Sequence, residues 1–147
     1  MIEFTTCWIA GMYNRWPANF AQSMSIAAVS KEDNLPVAYF SNSNGQVDYA
    51  GIGVDVVSFR PDGEYHKMSG TSMASPHVCG FITALMTKGG AYSDIIKDDR
   101  TCRALLNDKF VIDIGTKGSD VMTGLGFLTY LTKEEFEEGF LDLPDLP

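Results

Sequence analysis

The hydrophobic pattern of this chain changes at Ser72. Before that residue, short apolar runs rich in β-branched and aromatic side chains alternate with turn residues, which is typical of β-strands. After it, apolar side chains surround a helical wheel almost completely until Gly89 and Gly90. A helix with this pattern is expected to be buried in a protein core, and Ser72 stands at its beginning.

The strands predicted before Ser72 are short and are bounded by turn chemistry. They cover residues 3–9, 23–29, 37–40, 47–49 and 54–59, and a turn at 61–63 leads to Tyr65–Met68. Beyond the first helix, residues 111–114 predict one more strand.

Two further helices are predicted in the second half of the chain. One covers residues 93–106 and is amphipathic, with one side formed by Ile95, Cys102, Leu105 and Leu106. The other opens at Thr132, where Glu135 completes a capping box, and runs to Gly139. Strands before and helices after a central serine predict an α/β domain with helices packed on a mainly parallel sheet.

The composition favours a single folded domain. The chain has 147 residues, of which 45% are hydrophobic and 12% aromatic, enough for one packed core. We divide it into residues 1–130, the predicted domain, and 131–147, a short helix and an acidic tail. We do not expect the final residues 140–147 to fold alone.

Charge and apolar run length exclude several partners. A net charge of −8 disfavours nucleic acid, because phosphate binding needs clustered Lys and Arg. The apolar runs are too short to cross a membrane, and the N-terminus carries Glu3 where a secretory signal needs a basic residue. The compartment stays undetermined, with an intracellular one favoured over secretion.

The cysteines do not predict a disulfide framework. Cys7, Cys79 and Cys102 are odd in number and irregularly spaced, which predicts buried or free thiols instead of a disulfide set or a metal site.

Ser72 has the surroundings of a nucleophile. A serine hydroxyl needs an exposed turn, a neighbouring base and donors for an oxyanion. Gly70 and Thr71 leave room for a substrate, Thr71 can cap the helix, and Pro76 is tolerated in a first turn. The N-terminus of the helix would direct N–H donors toward developing negative charge.

The segment from Gly70 to Val78, followed by Gly80, resembles the active-site serine signature of the subtilisin family of serine proteases. The match comprises nine contiguous residues, and weaker similarities occur in order at residues 16–20, 25–29, 40–42 and 123–126. The resemblance covers roughly residues 8–128. It implies the C-terminal portion of a subtilisin-like parallel-sheet domain and peptide-bond hydrolysis through an acyl-enzyme on Ser72, with protein or peptide substrates.

Other interpretations apply to the neighbouring residues. Ser72 could merely cap its helix, although capping alone does not explain the flanking Gly, Pro and His. Ser69 and Ser75 are expected to be structural. His77 lies five residues after Ser72, hence about 140° away around the helix, and cannot be its base. The family gives His77 a structural role and His66 none.

The remaining catalytic groups are missing. The family places its aspartate and histidine upstream of the serine, yet neither motif occurs in the 71 residues before Ser72. The family's oxyanion asparagine usually follows an Ala-Gly pair, but Ala10 and Gly11 are followed by Met12. Asn14 is therefore our candidate oxyanion donor, with a turn asparagine as the alternative.

No metal or other cofactor is predicted from the residues themselves. Calcium is implied by the family resemblance only, since Asp48 falls near a position that binds calcium in many subtilisins. A single carboxylate does not make a calcium site, so we interpret Asp48 as surface charge.

Two functions follow. The first is a serine endopeptidase whose aspartate and histidine come from another polypeptide or from a missing upstream segment, so that the isolated chain would be inactive. The alternative is an inactive, protease-derived binding or scaffold protein that engages a partner through residues 140–147. Because part of a doubly wound sheet would expose a strand edge and one face of the Ser72 helix, a partner chain or self-association is expected.

Overall fold

A computed structural model describes residues 7–9, 23–87 and 89–137 of the chain. The strands are β1 (Cys7–Ile9), β2 (Met24–Val29), β3 (Tyr49–Ile52), β4 (Val56–Phe59), β5 (Tyr65–Met68), β6 (Val111–Ile112) and β7 (Phe127–Leu128). The helices are α1 (Thr71–Leu85), α2 (Asp99–Lys109) and α3 (Lys133–Glu137).

The main sheet has the strand order β1-β2-β3-β7-β6. The first four of these strands are parallel, and only β6 runs antiparallel, to β7. This arrangement confirms a mixed α/β fold with a mostly parallel sheet. Within the described residues, β1 pairs on one side only, so it forms an edge of the sheet.

Strand β2 is buried along its whole length, because both faces of the sheet are covered. Ile26 and Ala28 point into the core shared with α1 and α2. Ala27 and Val29 point into a second, smaller core, to which Phe136 of α3 contributes from the other face. The apolar run at 23–29 is thus a central strand, as predicted.

The strands β4 and β5 form a separate antiparallel hairpin. All its side chains except the half-buried Val56 are exposed, and the rings of Phe59 and Tyr65 lie with centroids 4.4 Å apart on its surface. The hairpin leads directly into the segment that carries Ser72.

Several predicted strand boundaries are wrong. Residues 37–40 form no strand: Val37 makes an isolated bridge with Val29, and Tyr39 is 98% exposed. The strand predicted at 47–49 corresponds to β3, which lies slightly later in the chain. The strand predicted at 54–59 corresponds to β4, which begins only at Val56 because Asp55 has a positive φ of 51° that interrupts the extended backbone. The strand predicted at 111–114 ends at Ile112.

The second helix also begins later than predicted. Residues 91–95 form turns, and α2 starts after Asp98, whose carboxylate accepts the N–H of Thr101 at 2.8 Å in a capping box. Ile95 is consequently 48% exposed, whereas Ile96 is buried in its place. The predicted burial of Cys102, Leu105 and Leu106 is confirmed.

The capping box predicted at the third helix is present. The Thr132 N–H donates to a Glu135 carboxylate oxygen at 2.8 Å, and the Glu135 N–H donates to the Thr132 hydroxyl at 3.2 Å. Strand β7 was not predicted, since its two residues sit in a segment punctuated by glycine.

Candidate active site

Helix α1 lies close to β3 because β3 carries glycine where the two meet. A Cβ atom on Gly51 would come within 2.9 Å of the Ala74 carbonyl oxygen and of Val78 Cγ2. A Cβ on Gly53, the residue just after β3, would meet the Gly70 carbonyl oxygen at the start of α1 at 2.8 Å. These approaches are shorter than real Cβ contacts, so no larger residue fits. The glycine pair in the sequence could have signalled this packing.

The turn before α1 is fixed by backbone hydrogen bonds to the sheet. The Gly70 N–H donates to the Gly53 carbonyl at 2.7 Å, and the Gly53 N–H donates to the Val29 carbonyl at 3.0 Å. The Gly70 carbonyl in turn accepts from Met73 and Ala74. The start of α1 is therefore held at the carboxyl end of the parallel strands.

The predicted capping role of Thr71 is wrong. Gly70 is the N-cap, no side chain caps the helix, and Thr71 is its first residue. Pro76 is the sixth residue of α1 and not part of its first turn. Because proline has no N–H, the carbonyl of Ser72 lacks its usual helical donor.

Ser72 is the second residue of α1 and is exposed. Within the described residues, neither its hydroxyl nor its backbone N–H makes a hydrogen bond. An N–H at this position of a helix has no intrahelical partner and points outward from the positive end of the helix dipole. The site therefore offers an exposed serine and an oxyanion-type donor that has no partner among the described residues.

Ser69 and Ser75 behave as structural residues. The Ser69 hydroxyl accepts the Asp55 N–H at 2.9 Å and donates to the Asp55 carboxylate at 3.4 Å, which fixes the approach to the nucleophile turn. Ser75 is buried on the inward side of α1.

His77 faces the sheet and does not face Ser72. Although the outer side of its ring is exposed, Nδ1 accepts the Ile52 N–H at 3.2 Å, and the ring stacks on Phe127. Partial burial lowers the pKa of His77 below its ordinary value, which favours the neutral ring that can accept this bond. The geometry thus agrees with a structural histidine.

Neither histidine of the chain acts as a base for Ser72 in the described structure. The chain's only two histidines are His66 and His77, and neither is hydrogen-bonded to Ser72. His66 lies on the exposed strand β5. The candidate oxyanion residue Asn14 lies outside the described residues, so it stays a prediction.

Three aspartates that precede Ser72 in the sequence are engaged elsewhere. Asp55 binds Ser69, Asp62 pairs with Arg60 at 3.6 Å in the hairpin turn, and Asp48 pairs with Arg103 at 2.6 Å. The interpretation of Asp48 as plain surface charge is wrong, because its side chain is 28% exposed and also accepts the Ser25 N–H.

The described cysteines are free thiols, as predicted. Cys102 is buried, and this burial raises the pKa of its thiol to about 11. Cys79 is exposed on α1, two turns after Ser72. Among the residues described, no group of three or more His, Cys, Asp or Glu side chains could hold a metal ion.

The outward side of α1 is open. Ser72, Pro76, Cys79 and Gly80 are exposed along it, so the prediction of a fully buried helix is wrong and the expected exposure of one face is correct. A groove of about 520 Å³ runs beside this side, between α1 and Tyr130. No helix in the described part of the chain is long and apolar enough to cross a membrane.

Comparisons with known proteins relate this chain to one family. A model of the subtilase family, Peptidase S8, matches residues 11–126. A subtilisin-like protease 6 of Trichophyton verrucosum is 42% identical over 86 residues, covering 56% of this chain and 20% of that protein. The major intracellular serine protease of Bacillus subtilis is 27% identical over 124 residues, covering 84% of this chain and 37% of that protein.

Solved structures show the same fold. The psychrophilic protease S41 superposes with a TM-score of 0.69 at 24% identity, covering 84% of this chain and 47% of that one. Fervidolysin from Fervidobacterium pennivorans, a keratinolytic enzyme related to subtilisin, gives a TM-score of 0.65 at 24% identity, covering 93% and 22%.

This chain belongs to the subtilase family of serine proteases, with which it shares part of the peptidase domain. It spans 20% to 37% of the length of the two curated relatives named above.

Proposed function

We propose that this chain is the C-terminal, nucleophile-bearing portion of a subtilisin-like serine endopeptidase. Ser72 would attack the peptide bond, and a second polypeptide or an upstream segment would supply the aspartate and histidine. The observation that carries the proposal is an exposed Ser72 at the start of α1, with an available N–H, in a chain whose two histidines do not reach it.

The open surfaces support the need for a completing polypeptide. Strand β1 pairs only with β2 in the described structure, so its other side offers a row of backbone groups that a further strand can use. Exposed small residues follow Ser72 along α1, among them Cys79 and Gly80. Both surfaces could pack against the polypeptide that carries the base.

The reaction divides into two steps. In the first, the supplied histidine takes the proton of the Ser72 hydroxyl while its oxygen adds to the peptide carbonyl carbon. The Ser72 N–H, together with Asn14 if its amide reaches the site, donates to the resulting oxyanion. The intermediate collapses, the histidine protonates the leaving amine, and water then hydrolyses the acyl ester on Ser72.

A fluorophosphonate probe tests this proposal. The full chain is incubated with the probe, alone and with a polypeptide carrying the subtilase aspartate and histidine motifs. We expect labelling at Ser72 only in the mixture, lost in Ser72→Ala and retained in Ser58→Ala, which changes an exposed serine of the hairpin. If Ser72 is labelled in neither sample, the proposal is overturned.

Cys79 provides a second measurement for the same mixture. Because its thiol is exposed on the outward side of α1, a maleimide reagent should modify it readily in the free chain. Docking of the completing polypeptide over α1 should slow this modification. Buried Cys102 serves as the internal control, since its modification should be slow in both states.

The second candidate is a protease-derived binding or scaffold protein. It is favoured by the placement of the chain's two histidines, neither of which is hydrogen-bonded to Ser72 in the described structure. Protection of Cys79 without labelling of Ser72 would support this function over the peptidase. Deleting residues 140–147 then tests whether the acidic tail binds the partner, because unchanged pull-down would exclude a role for it.

A further inference from the structure

Arg103 lies among three oxygen-bearing groups at the start of the strands, away from Ser72. Its Nη1 is 2.6 Å from Asp48 Oδ1, its Nη2 donates to the Ser23 carbonyl at 2.7 Å, and its Nε lies 3.0 Å from Asp99 Oδ2. Ser23 directly precedes β2, Asp48 directly precedes β3, and Asp99 begins α2. One guanidinium thus joins three separate elements.

The charge balance of this cluster resembles that of a cation site. Two carboxylates and a carbonyl oxygen surround the positive group, and the other oxygen of Asp48 accepts the Ser25 N–H at 2.8 Å. Burial alone would lower the pKa of Arg103, but the carboxylates of Asp48 and Asp99 outweigh it and raise that pKa. The guanidinium is therefore a permanent charge at this position.

These contacts do not fit a calcium ion at Asp48. Calcium takes about six to eight oxygen ligands. Here Asp48 already has a partner for each carboxylate oxygen, and the nearby guanidinium would repel a divalent cation. Among the described residues, the surroundings of Asp48 therefore do not accommodate the calcium that family resemblance implied there.

We propose that Arg103 serves as a built-in cation that replaces a metal ion between Asp48, Asp99 and the Ser23 carbonyl. It holds the first residues of β2 and β3 against α2, so this part of the fold needs no calcium. The inference is independent of the peptidase function, because the cluster shares no residue with the Ser72 site.

Thermal unfolding of the full chain, followed by circular dichroism with calcium or with a chelator, tests the proposal. We expect the wild-type midpoint to be the same in both conditions. Arg103→Met should lower it by about 5–10 °C, since it leaves two carboxylates unpaired. Arg100→Met is the matched control, because Arg100 is exposed on the same helix, and it should change little.

Calcium should then act on the variant and not on the wild type. Without the guanidinium, Asp48, Asp99 and the Ser23 carbonyl form a set of hard oxygen ligands. Millimolar calcium should therefore recover part of the loss in Arg103→Met, and the added change Asp48→Asn should abolish that recovery. If Arg103→Met does not fold, Arg103→Lys keeps the charge with fewer fixed donors and should show a smaller loss.

Three results would overturn the proposal. The first is an Arg103→Met midpoint equal to that of Arg100→Met. The second is an Arg103→Met variant that calcium does not stabilise. The third is a calcium-dependent rise of the wild-type midpoint that Asp48→Asn removes, and this comparison does not require the Arg103 variants to fold.

Discussion

The two sides of α1 differ in how completely they are packed. On the inward side, Ala74 and Val78 are 0% and 1% exposed, and β3 carries glycine where the helix comes closest. On the outward side, Cys79 and Gly80 are exposed, and a Cβ on Gly80 would meet nothing within 4 Å. The inward side is fitted to this chain's own sheet, and the outward side, which carries Ser72, has room for another polypeptide.

Truncating one side chain on each side should give the largest contrast. Ile82 is 6% exposed and belongs to the main core, so Ile82→Ala should lower the free energy of unfolding by about 2–5 kcal/mol. Cys79→Ala, on the outward side of the same helix, should change it by less than about 0.5 kcal/mol. Denaturant unfolding of both variants measures the difference, and equal losses would contradict the distinction between the two sides.

Adding one methyl group on each side should change the free energy of unfolding in opposite directions. Gly51→Ala forces a Cβ within 2.9 Å of α1 backbone and should destabilise the chain by about 1–3 kcal/mol. Gly80→Ala removes a glycine from the interior of α1 and should stabilise the free chain by about 0.5–1 kcal/mol. Unfolding midpoints decide this, and a destabilising Gly80→Ala would show that the outward side is packed in the free chain.

The packing of α1 was only partly readable from the sequence. The motif from Gly70 to Val78 located the helix and its serine, because short-range spacing is enough to recognise both. The exposure of one side was not evident from the apolar pattern, which surrounds the helix and predicted full burial. Exposure depends on what else the chain supplies, and that is a property of the whole fold.

Two other differences have different origins, the first in local capping and the second in a tertiary contact. The start of α2 was placed too early because the Asp98 capping box, in which Thr101 is the partner, outweighs the apolar residues before it. The pair formed by Asp48 and Arg103 joins residues 55 apart in sequence, which no local pattern reveals. The central strand β2 was predictable, since it is a continuous apolar run, whereas the short parallel strand β7 was not.

The smallest expected effect is a pH dependence at the boundary between the two sides of α1. His77 has a lowered pKa, so its neutral form stabilises the folded state above the unfolded pKa of about 6.5. That contribution is lost as pH falls through the lower, folded-state pKa, because protonation of Nδ1 breaks the bond from Ile52. The loss should be below about 1 kcal/mol, since the ring is partly exposed to solvent.

Unfolding free energies measured from about pH 8 to about pH 5, the range in which histidine side chains ordinarily titrate, would test this effect. His77→Gln should have a flatter profile below pH of about 6.5 than the wild type. His66→Gln is the matched control on exposed β5 and should keep the wild-type profile. A histidine-dependent slope that persists in His77→Gln and disappears in His66→Gln would reverse the assignment.

The acyl-enzyme tests the central claim most directly, because it requires Ser72 to act as a nucleophile. The full chain, mixed with a polypeptide that carries the aspartate and histidine motifs, is reacted with an activated peptide ester, quenched in acid and analysed by mass spectrometry. We predict an acyl group on the peptide that contains Ser72, present in the mixture and absent from the chain alone. A mixture that hydrolyses the ester equally well with Ser72→Ala would contradict the account.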